Sequence, residues 1–302
     1  MPHVTDLVEC VPNFSEGRRQ DVIDAIVSAI DRAGARIVDV QSDPAHNRCV
    51  VTFVAPPEVG EEAALAGARV ATEKIDLNHH QGEHPRMGAT DVVPFVPFAD
   101  FPMSRCVDLA HRFGRRLQRE LQIPVYYYGD AALRPERREL EKVRQRGFED
   151  LRDHIQEEDR HPDEGAPRMH PTAGATAVAA RIPLIAYNVN LRTSEVAVAK
   201  EIAKKIRASS GGMPNVKALG FDLPDRGLVQ VSMNLTDYRV TNMWKVFAAI
   251  SEEAARRGVE VQESEIVGTI PLDAAVRTVK DALREPRLGM DQVLEKKVWT
   301  SE

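Results

Sequence analysis

The densest cluster of chemically useful side chains lies in residues 78–91, which read NHHQGEHPRMGATD. Three histidines stand there together with Glu83, Arg86 and Asp91. An imidazole titrates near neutral pH, and a loop shaped by glycine and proline can hold it rigidly against a substrate. The run therefore predicts general acid–base chemistry. The alternative is that these histidines only cap or solvate a loop.

A metal site is the competing interpretation of the same residues. His80 and His84 have the four-residue spacing that brings two imidazoles to one face of a helix. Gly82 and Pro85 interrupt that helix, and the run offers no evident third ligand. We therefore expect no metal here.

Other chemistries find less support in the chain. No serine stands in a G-x-S-x-G turn, and neither phosphate-binding glycine pattern occurs. The SSGG run at 209–212 is expected to end a helix. Cys10, Cys49 and Cys106 lie far apart, which favours reduced, buried thiols over disulfides or a thiolate metal site.

The elements that must position these residues alternate in a regular order. In the first half, apolar periodicity predicts strand LVECVPNF, a helix from Arg18 to about Ala33, strands ARIVDV and RCVVTFVAPP, a helix from Val59 to about Ile75 and strand VVPFVPF. A helix at 104–121, strand PVYYY and a very polar helix at 134–158 follow.

The same order returns from Ala173. The run ATAVAARIPLIAYNVNL is predicted as extended, followed by a helix from Glu195 to Ala208, strands VKALGFDL and LVQVSMNLTD, a helix from Val240 to Arg257 and strand VEVQESEIVGTIP. Two βαββαβ units predict an α+β fold of two ferredoxin-like lobes with a ligand cleft between them. We place the lobes at 1–172 and 173–302, joined by a polar linker at 159–172 that either connects passively or contacts a ligand.

Composition excludes several classes of protein. The 302 residues carry a net charge of -6, so no global positive field favours nucleic acid or an anionic membrane. The N-terminus does not resemble a secretory signal, and no window approaches the ~18 apolar residues of a membrane helix. These features predict a cytoplasmic protein in which individual polar or cationic side chains, and not a global positive field, bind any anionic ligand.

Three strings resemble one family: LVECVPNFSEG at 7–17, GEHPRMGATDVVPF at 82–95 and IAYNVNL at 185–191. They are similar to the formiminotransferase domain of glutamate formimidoyltransferase, and the likeness runs in order across nearly the whole chain. The family's reaction transfers the formimino group of N-formimino-L-glutamate to tetrahydrofolate, a late step of histidine degradation. The resemblance also implies a homodimer with small-molecule substrates.

The resemblance implies roles for particular residues. The family's catalytic histidine stands in the E-H-P-R-M-G string, which makes His84 the expected proton-transfer residue, while His79 and His80 keep the solvating or capping interpretation. The family's folate-contacting loop resembles residues 165–174, matched only in the glycines and a proline: Gly165, Ala166, Pro167, Arg168, Met169, His170, Pro171, Thr172, Ala173 and Gly174.

Substrate glutamate and the glutamyl tail of folate require cationic partners. Arg48, Arg86 and Arg192 lie in or beside the loops named above and are the candidates, although an arginine in such a position is more often a solvated surface charge. Asn188 and Asn190 alternate on one strand, so both fall on one sheet face and could bond the pterin or glutamate. Polarity of an edge strand is the alternative.

Two competing functions remain at this stage. A relative could use N-formylglutamate or 5-formyltetrahydrofolate, because formyl and formimino groups share the same geometry of attack. A folate-binding protein without turnover could keep the same lobes. The cyclodeaminase half of the bifunctional animal proteins is not expected after Trp299.

Overall fold

The computed structural model of the chain describes residues 6–82, 85–144 and 147–299, and it divides into two compact units after Arg181. Each unit has its own sheet and its own apolar core. None of the helices in this described part combines the length and the apolar composition that crossing a membrane requires.

The first unit consists of a seven-stranded sheet and the helices that pack against it. In chain order the elements are β1 (Val8–Cys10), β2 (Asn13–Phe14), α1 (Gln20–Arg32), β3 (Arg36–Asp43), β4 (Arg48–Ala55), α2 (Pro57–Lys74), β5 (Thr90–Pro97), α3 (Met103–Leu121), β6 (Val125–Gly129), α4 (Leu140–Arg144), α5 (Gly147–His154) and β7 (Thr176–Ala180).

The strand order of the first sheet is that of a ferredoxin-like lobe with an extension. β1 and β2 both lie between β4 and β5, and β3 pairs with the other edge of β4, all antiparallel. Beyond β5, β7 and then β6 add as parallel strands. The loops that enter and leave β2, β4 and β5 therefore lie close together.

Helix packing on this sheet follows the sequence pattern. Ile23, Ile26 and Ile30 recur on one face of α1 and are buried. In α2 the small residues allow close approach, because a Cβ on Gly67 would lie 3.1 Å from the Ile30 side chain. On the opposite sheet face, α4 and α5 pack against β6 and β7 through a second apolar cluster that includes Leu151.

The second unit is a complete ferredoxin-like lobe. Its elements are β8 (Ile185–Leu191), α6 (Val196–Ile206), β9 (Val216–Leu223), β10 (Leu228–Leu235), α7 (Met243–Arg256), β11 (Val261–Val267), α8 (Leu272–Leu283) and α9 (Leu294–Trp299). Its sheet has the antiparallel order β11-β8-β10-β9. The two sheets confirm the predicted α+β class with two ferredoxin-like lobes, while the cleft between them stays a prediction.

The predicted boundary after Thr172 was wrong. The run from Ala173 is not one strand, because β7 pairs with β5 and β6 in the first sheet, whereas β8 belongs to the second. The division therefore falls after Arg181. The polar stretch at 134–158 was also not one helix: α4 and α5 are separate, and Gly147, where α5 begins, has a φ of 84°, which a residue in the interior of a right-handed helix does not adopt.

Candidate active site

A small pocket in the first unit lies among three loops that we call loop A (residues 13–19), loop B (43–48) and loop C (76–91). The residues that line it are Phe14, Ser15, His46, Asn47, Arg48, His80, Arg86 and Asp91. Loop C contains the histidine-rich run that the sequence singles out, and three of its described residues, His80, Arg86 and Asp91, line the pocket.

Asn47 joins the three loops through its side chain. Its Oδ1 accepts a hydrogen bond from the Gly17 amide at 2.9 Å, and its Nδ2 donates to the Gln81 carbonyl at 3.0 Å. Its φ of 48° is left-handed, which asparagine tolerates better than most residues. Gly82 is equally constrained, because a Cβ there would lie 2.3 Å from the His46 carbonyl oxygen. The loops therefore meet backbone to backbone.

His80 forms part of the pocket wall as a neutral imidazole. Its Nδ1 accepts from Arg86 Nε at 3.0 Å, so its Nε2 carries the proton and donates to the Asn47 carbonyl at 2.9 Å. Burial lowers the pKa of His80, and the Arg86 charge acts in the same direction. Because both ring nitrogens are engaged, His80 offers no lone pair to a metal ion in this arrangement.

Arg86 connects loop C to α5 as well as to His80. Its Nη1 and Nη2 donate to the two carboxylate oxygens of Glu149 at 3.0 and 2.7 Å, and Nη2 also donates to the His80 carbonyl at 3.0 Å. Only 15% of the Arg86 side chain is exposed. The hydrogen bonds from Arg86 lower the pKa of Glu149. All three guanidinium nitrogens thus donate to groups that hold loop C in place. Few N–H groups of Arg86 are therefore left for the predicted substrate contact.

Asp91 points into the pocket because of a β-bulge. Phe14 lies opposite Thr90 and Asn13 lies opposite Val92, so Asp91 is the extra residue on β5. Its Oδ1 accepts from the Met87 amide at 2.7 Å. A bulge commonly re-aims a side chain beside an active site.

Arg144, at the end of α4, is the ion-pair partner of Asp91. Its Nη2 lies 2.7 Å from Asp91 Oδ2, and the two side chains are 13% and 4% exposed. The Nε of Arg144 is buried and has no hydrogen-bond acceptor in the part of the chain that the structure describes. The ion pair therefore satisfies only part of the hydrogen-bonding capacity of the Arg144 guanidinium.

Arg48, the predicted substrate contact in loop B, is partly buried beside a neutral partner. Its Nε donates to Asn13 Oδ1 at 2.9 Å, and its Nη2 contacts the same oxygen. Burial lowers the pKa of Arg48, and the nearby Arg144 charge lowers it further, whereas Asp91 opposes the shift. No carboxylate among the described residues forms an ion pair with Arg48.

The predicted folate segment, residues 165–174, is hydrogen-bonded to loop C. The Asn78 side chain donates to the Pro171 carbonyl at 2.9 Å, and the Ala89 amide donates to the Ala173 carbonyl at 2.8 Å. His170 Nδ1 accepts from the amides at 172 and 173, which shapes the turn. Ala166, Arg168 and Pro171 are exposed, whereas the last two residues, 173 and 174, are buried. Only the earlier part of the segment presents surface to a ligand.

The remaining predicted contacts belong to the second unit. Asn188 and Asn190 share the sheet face away from the core, where they donate to Glu265 and Glu263 at 3.2 and 3.1 Å. Arg192 is 64% exposed, and its Nη2 donates to Gln262. Their roles in ligand binding stay predictions.

His84 and Glu83 lie outside the described residues, so the assignment of His84 as the proton-transfer residue also stays a prediction. The described residues on either side of them in the chain contact loop B or line the pocket. Gly82 packs on loop B, and Arg86 lines the pocket. His79, by contrast, is 85% exposed and 3.9 Å from the Asp76 carboxylate.

Several residues of the site were missed by sequence reasoning. Arg144 and Glu149 stand in a very polar stretch that resembles a solvated helix, so their types and spacing carry no signal. Asn13 and Asn47 are single amides in loops. A Gly-flanked cluster of polar residues near Asn13, in NFSEG, is the one cue that could have drawn attention to loop A.

Comparison with known proteins agrees with the order of motifs. Residues 7–181 match the family model of the formiminotransferase domain, N-terminal subdomain, and residues 186–292 match that of the formiminotransferase domain. A protein of Thermoplasma acidophilum named glutamate formimidoyltransferase is 48% identical over 295 residues, which cover 97% of each chain. A protein of the same name from Streptococcus pyogenes is 47% identical over 271 residues, covering 89% of this chain and 91% of that one.

The bifunctional relatives are longer. The formimidoyltransferase-cyclodeaminase of Rattus norvegicus is 42% identical over 278 residues, which cover 90% of this chain and 51% of that protein. The similarity of both family models and of the full-length relatives spans the two lobes and the pocket loops. The chain therefore belongs to the formiminotransferase domain family.

Proposed function

We propose that the chain is a glutamate formimidoyltransferase, which transfers the formimino group of N-formimino-L-glutamate to tetrahydrofolate and yields 5-formiminotetrahydrofolate and L-glutamate. The observation that carries the proposal is the 48% identity, over nearly the full length of both chains, to a relative of that name. The hydrogen bonds between loop C and residues 165–174 support it, because donor and acceptor must meet at one place. Histidine degradation is the pathway that this reaction serves.

The chemistry requires two proton movements. A folate nitrogen attacks the formimino carbon and loses its proton, a tetrahedral intermediate forms, and the glutamate nitrogen takes up a proton as its bond to that carbon breaks. One imidazole with a pKa near neutrality can perform both transfers and typically contributes about 10² to 10⁴-fold in rate. His84 is our candidate, since both ring nitrogens of neighbouring His80 are already engaged.

In this proposal, candidate substrate contacts are named in each unit separately. The exposed residues of the 165–172 segment contact tetrahydrofolate, and Arg48 binds the donor. Arg86 acts mainly by holding loop C, through Glu149 and His80. Asn188, Asn190 and Arg192 remain candidates for folate or glutamate. The protein is proposed to be cytoplasmic, homodimeric and independent of metal ions.

The decisive assay mixes purified protein with tetrahydrofolate and either N-formimino-L-glutamate or N-formyl-L-glutamate, and follows the methenyl absorbance generated by acid. Turnover with the formimino donor alone supports the proposal. Turnover only with the formyl donor would identify the formyl-transferring alternative, and folate binding without turnover would identify a binding protein. Light scattering tests the homodimer.

The role of His84 has its own test. His84→Ala should lower kcat by about 10² to 10⁴-fold while tetrahydrofolate affinity changes only a few-fold, because proton transfer acts in the transition state. His79→Ala is the matched control, since that histidine is exposed, and it should keep wild-type kcat. Near-normal turnover of His84→Ala would remove His84 from the mechanism.

A further inference from the structure

Among the described residues that line the pocket, the cationic side chain of Arg48 has no carboxylate partner. Arg86 is paired with Glu149, His46 with Asp43, and His80 is neutral. The carboxylates of Glu16 and Asp91 are paired with Arg19 and Arg144. That leaves the Arg48 guanidinium, whose side-chain partner among the described residues is the Asn13 amide oxygen.

A second guanidinium lies close enough to make this arrangement unfavourable without an anion. The Arg144 charge lowers the pKa of Arg48, which means that each cation opposes the other. Asp91 offsets one of the two charges and accepts from a single nitrogen of Arg144, so the buried Nε remains without an acceptor. A buried donor without a partner commonly marks a place where a bound molecule is missing from the structure.

We propose that Arg48, with Arg144 beside it, binds one carboxylate of the amino-acid donor. This inference rests on the proposed function and adds Arg144 to the site. A carboxylate supplies the single negative charge and the planar oxygen pair that guanidinium groups recognise.

The direct test is calorimetric titration of N-formimino-L-glutamate into the full chain without tetrahydrofolate. Arg48→Met should raise the Kd by about 10- to 100-fold, the size expected for one charge-assisted hydrogen-bonded contact. Arg48→Lys should recover part of the loss. Arg138→Met, which removes an arginine that is 65% exposed and paired with Asp130, is the matched control and should bind as wild type.

Arg144→Met leaves Asp91 buried without its counter-charge and therefore could fail to fold. The double variant Asp91→Asn with Arg144→Met removes both charges and keeps the test available. It should raise the donor Kd by about 10-fold while the Kd for tetrahydrofolate stays within two-fold.

Three results would overturn the inference: unchanged donor affinity in both Arg48→Met and the double variant, loss of tetrahydrofolate affinity instead, or no saturable donor binding by the wild type. The first two would leave the transferase activity of the wild type intact, so they refute the subsite without refuting the function. Arginine-dependent donor binding in a protein that shows no turnover would refute the function and keep the subsite.

Discussion

The substitution Gly88→Ala tests how far catalysis depends on the close packing of loop C against the neighbouring backbone. Gly88 follows His84 by four residues, and its carbonyl accepts a hydrogen bond from the Ser15 hydroxyl at 2.7 Å. A Cβ at this position would lie 2.0 Å from the Ala175 carbonyl oxygen and 2.7 Å from that of Thr90. Both distances are well inside the 3.4 Å at which ordinary van der Waals contact begins.

Because both neighbours are backbone atoms, no side chain can rotate away to relieve the clash. Loop C must instead move by about 1 Å relative to β7, and a displacement of that size at a reacting group costs about 100-fold in rate. Overpacking of this kind also lowers the free energy of unfolding by about 1–3 kcal/mol. We therefore expect a folded, less stable protein with kcat reduced by about 100-fold.

Gly114→Ala provides the control for the loss of stability alone. A Cβ on Gly114 would lie 2.3 Å from the Tyr127 hydroxyl, so this variant overpacks the main core against a side chain and does not involve the loops of the pocket. Urea denaturation measures the free energy of unfolding of both variants, and the transferase assay measures kcat per folded enzyme. Wild-type kcat in Gly88→Ala, or an equal loss in both variants, would refute the reasoning.

Three further predictions concern the groups around loop C. Glu149→Ala should lower kcat by about 10-fold, because Arg86 loses the carboxylate that anchors it. The variant should lose less than about 1 kcal/mol of unfolding free energy, because the Glu149 side chain is 54% exposed. Equal kcat in the variant and the wild type would contradict this prediction. Burial lowers the pKa of His170 below 6.5, so its stabilising contribution is complete above that value and is lost as pH falls through the lowered folded-state pKa. His170→Asn, whose Oδ1 can accept from the same two amides, should flatten the decline of the unfolding free energy between about pH 7 and 5, as measured by denaturant titration. Exhaustive chelation should leave turnover unchanged, since Arg86 and Asn47 occupy both ring nitrogens of His80; loss of activity that zinc restores would point to a metal enzyme.

Much of the fold could be predicted because most elements have one buried face. The apolar spacing in α1 and the alternation in β10 fix the type of each element, and the order βαββαβ then leaves few topologies. β7 shows where this reasoning ends. All five residues from Thr176 to Ala180 are buried, as in a parallel strand covered on both faces, so no alternation indicates which sheet it joins.

The sequence indicated one of the segments that line the pocket, but not the contacts that each side chain makes there. His80 and Arg86 both resemble ligand-binding residues in the sequence, yet they bond mainly to each other, to backbone and to Glu149. Arg144 resembles a solvated charge, yet it is 13% exposed and paired with Asp91. These assignments depend on contacts between segments far apart in the chain, which local spacing cannot specify.

The β-bulge at Asp91 connects these observations. Without the extra residue, β5 would stay in register with β2 and successive side chains would alternate between the two faces. With it, Asp91 binds the Met87 amide and so fixes the end of loop C that follows His84, while its second oxygen holds Arg144. One carboxylate thereby couples the position of the proposed proton-transfer loop to that of Arg144. A bound donor carboxylate that draws on Arg144 would therefore also act on loop C, so that donor binding and the placement of the catalytic loop are expected to depend on each other.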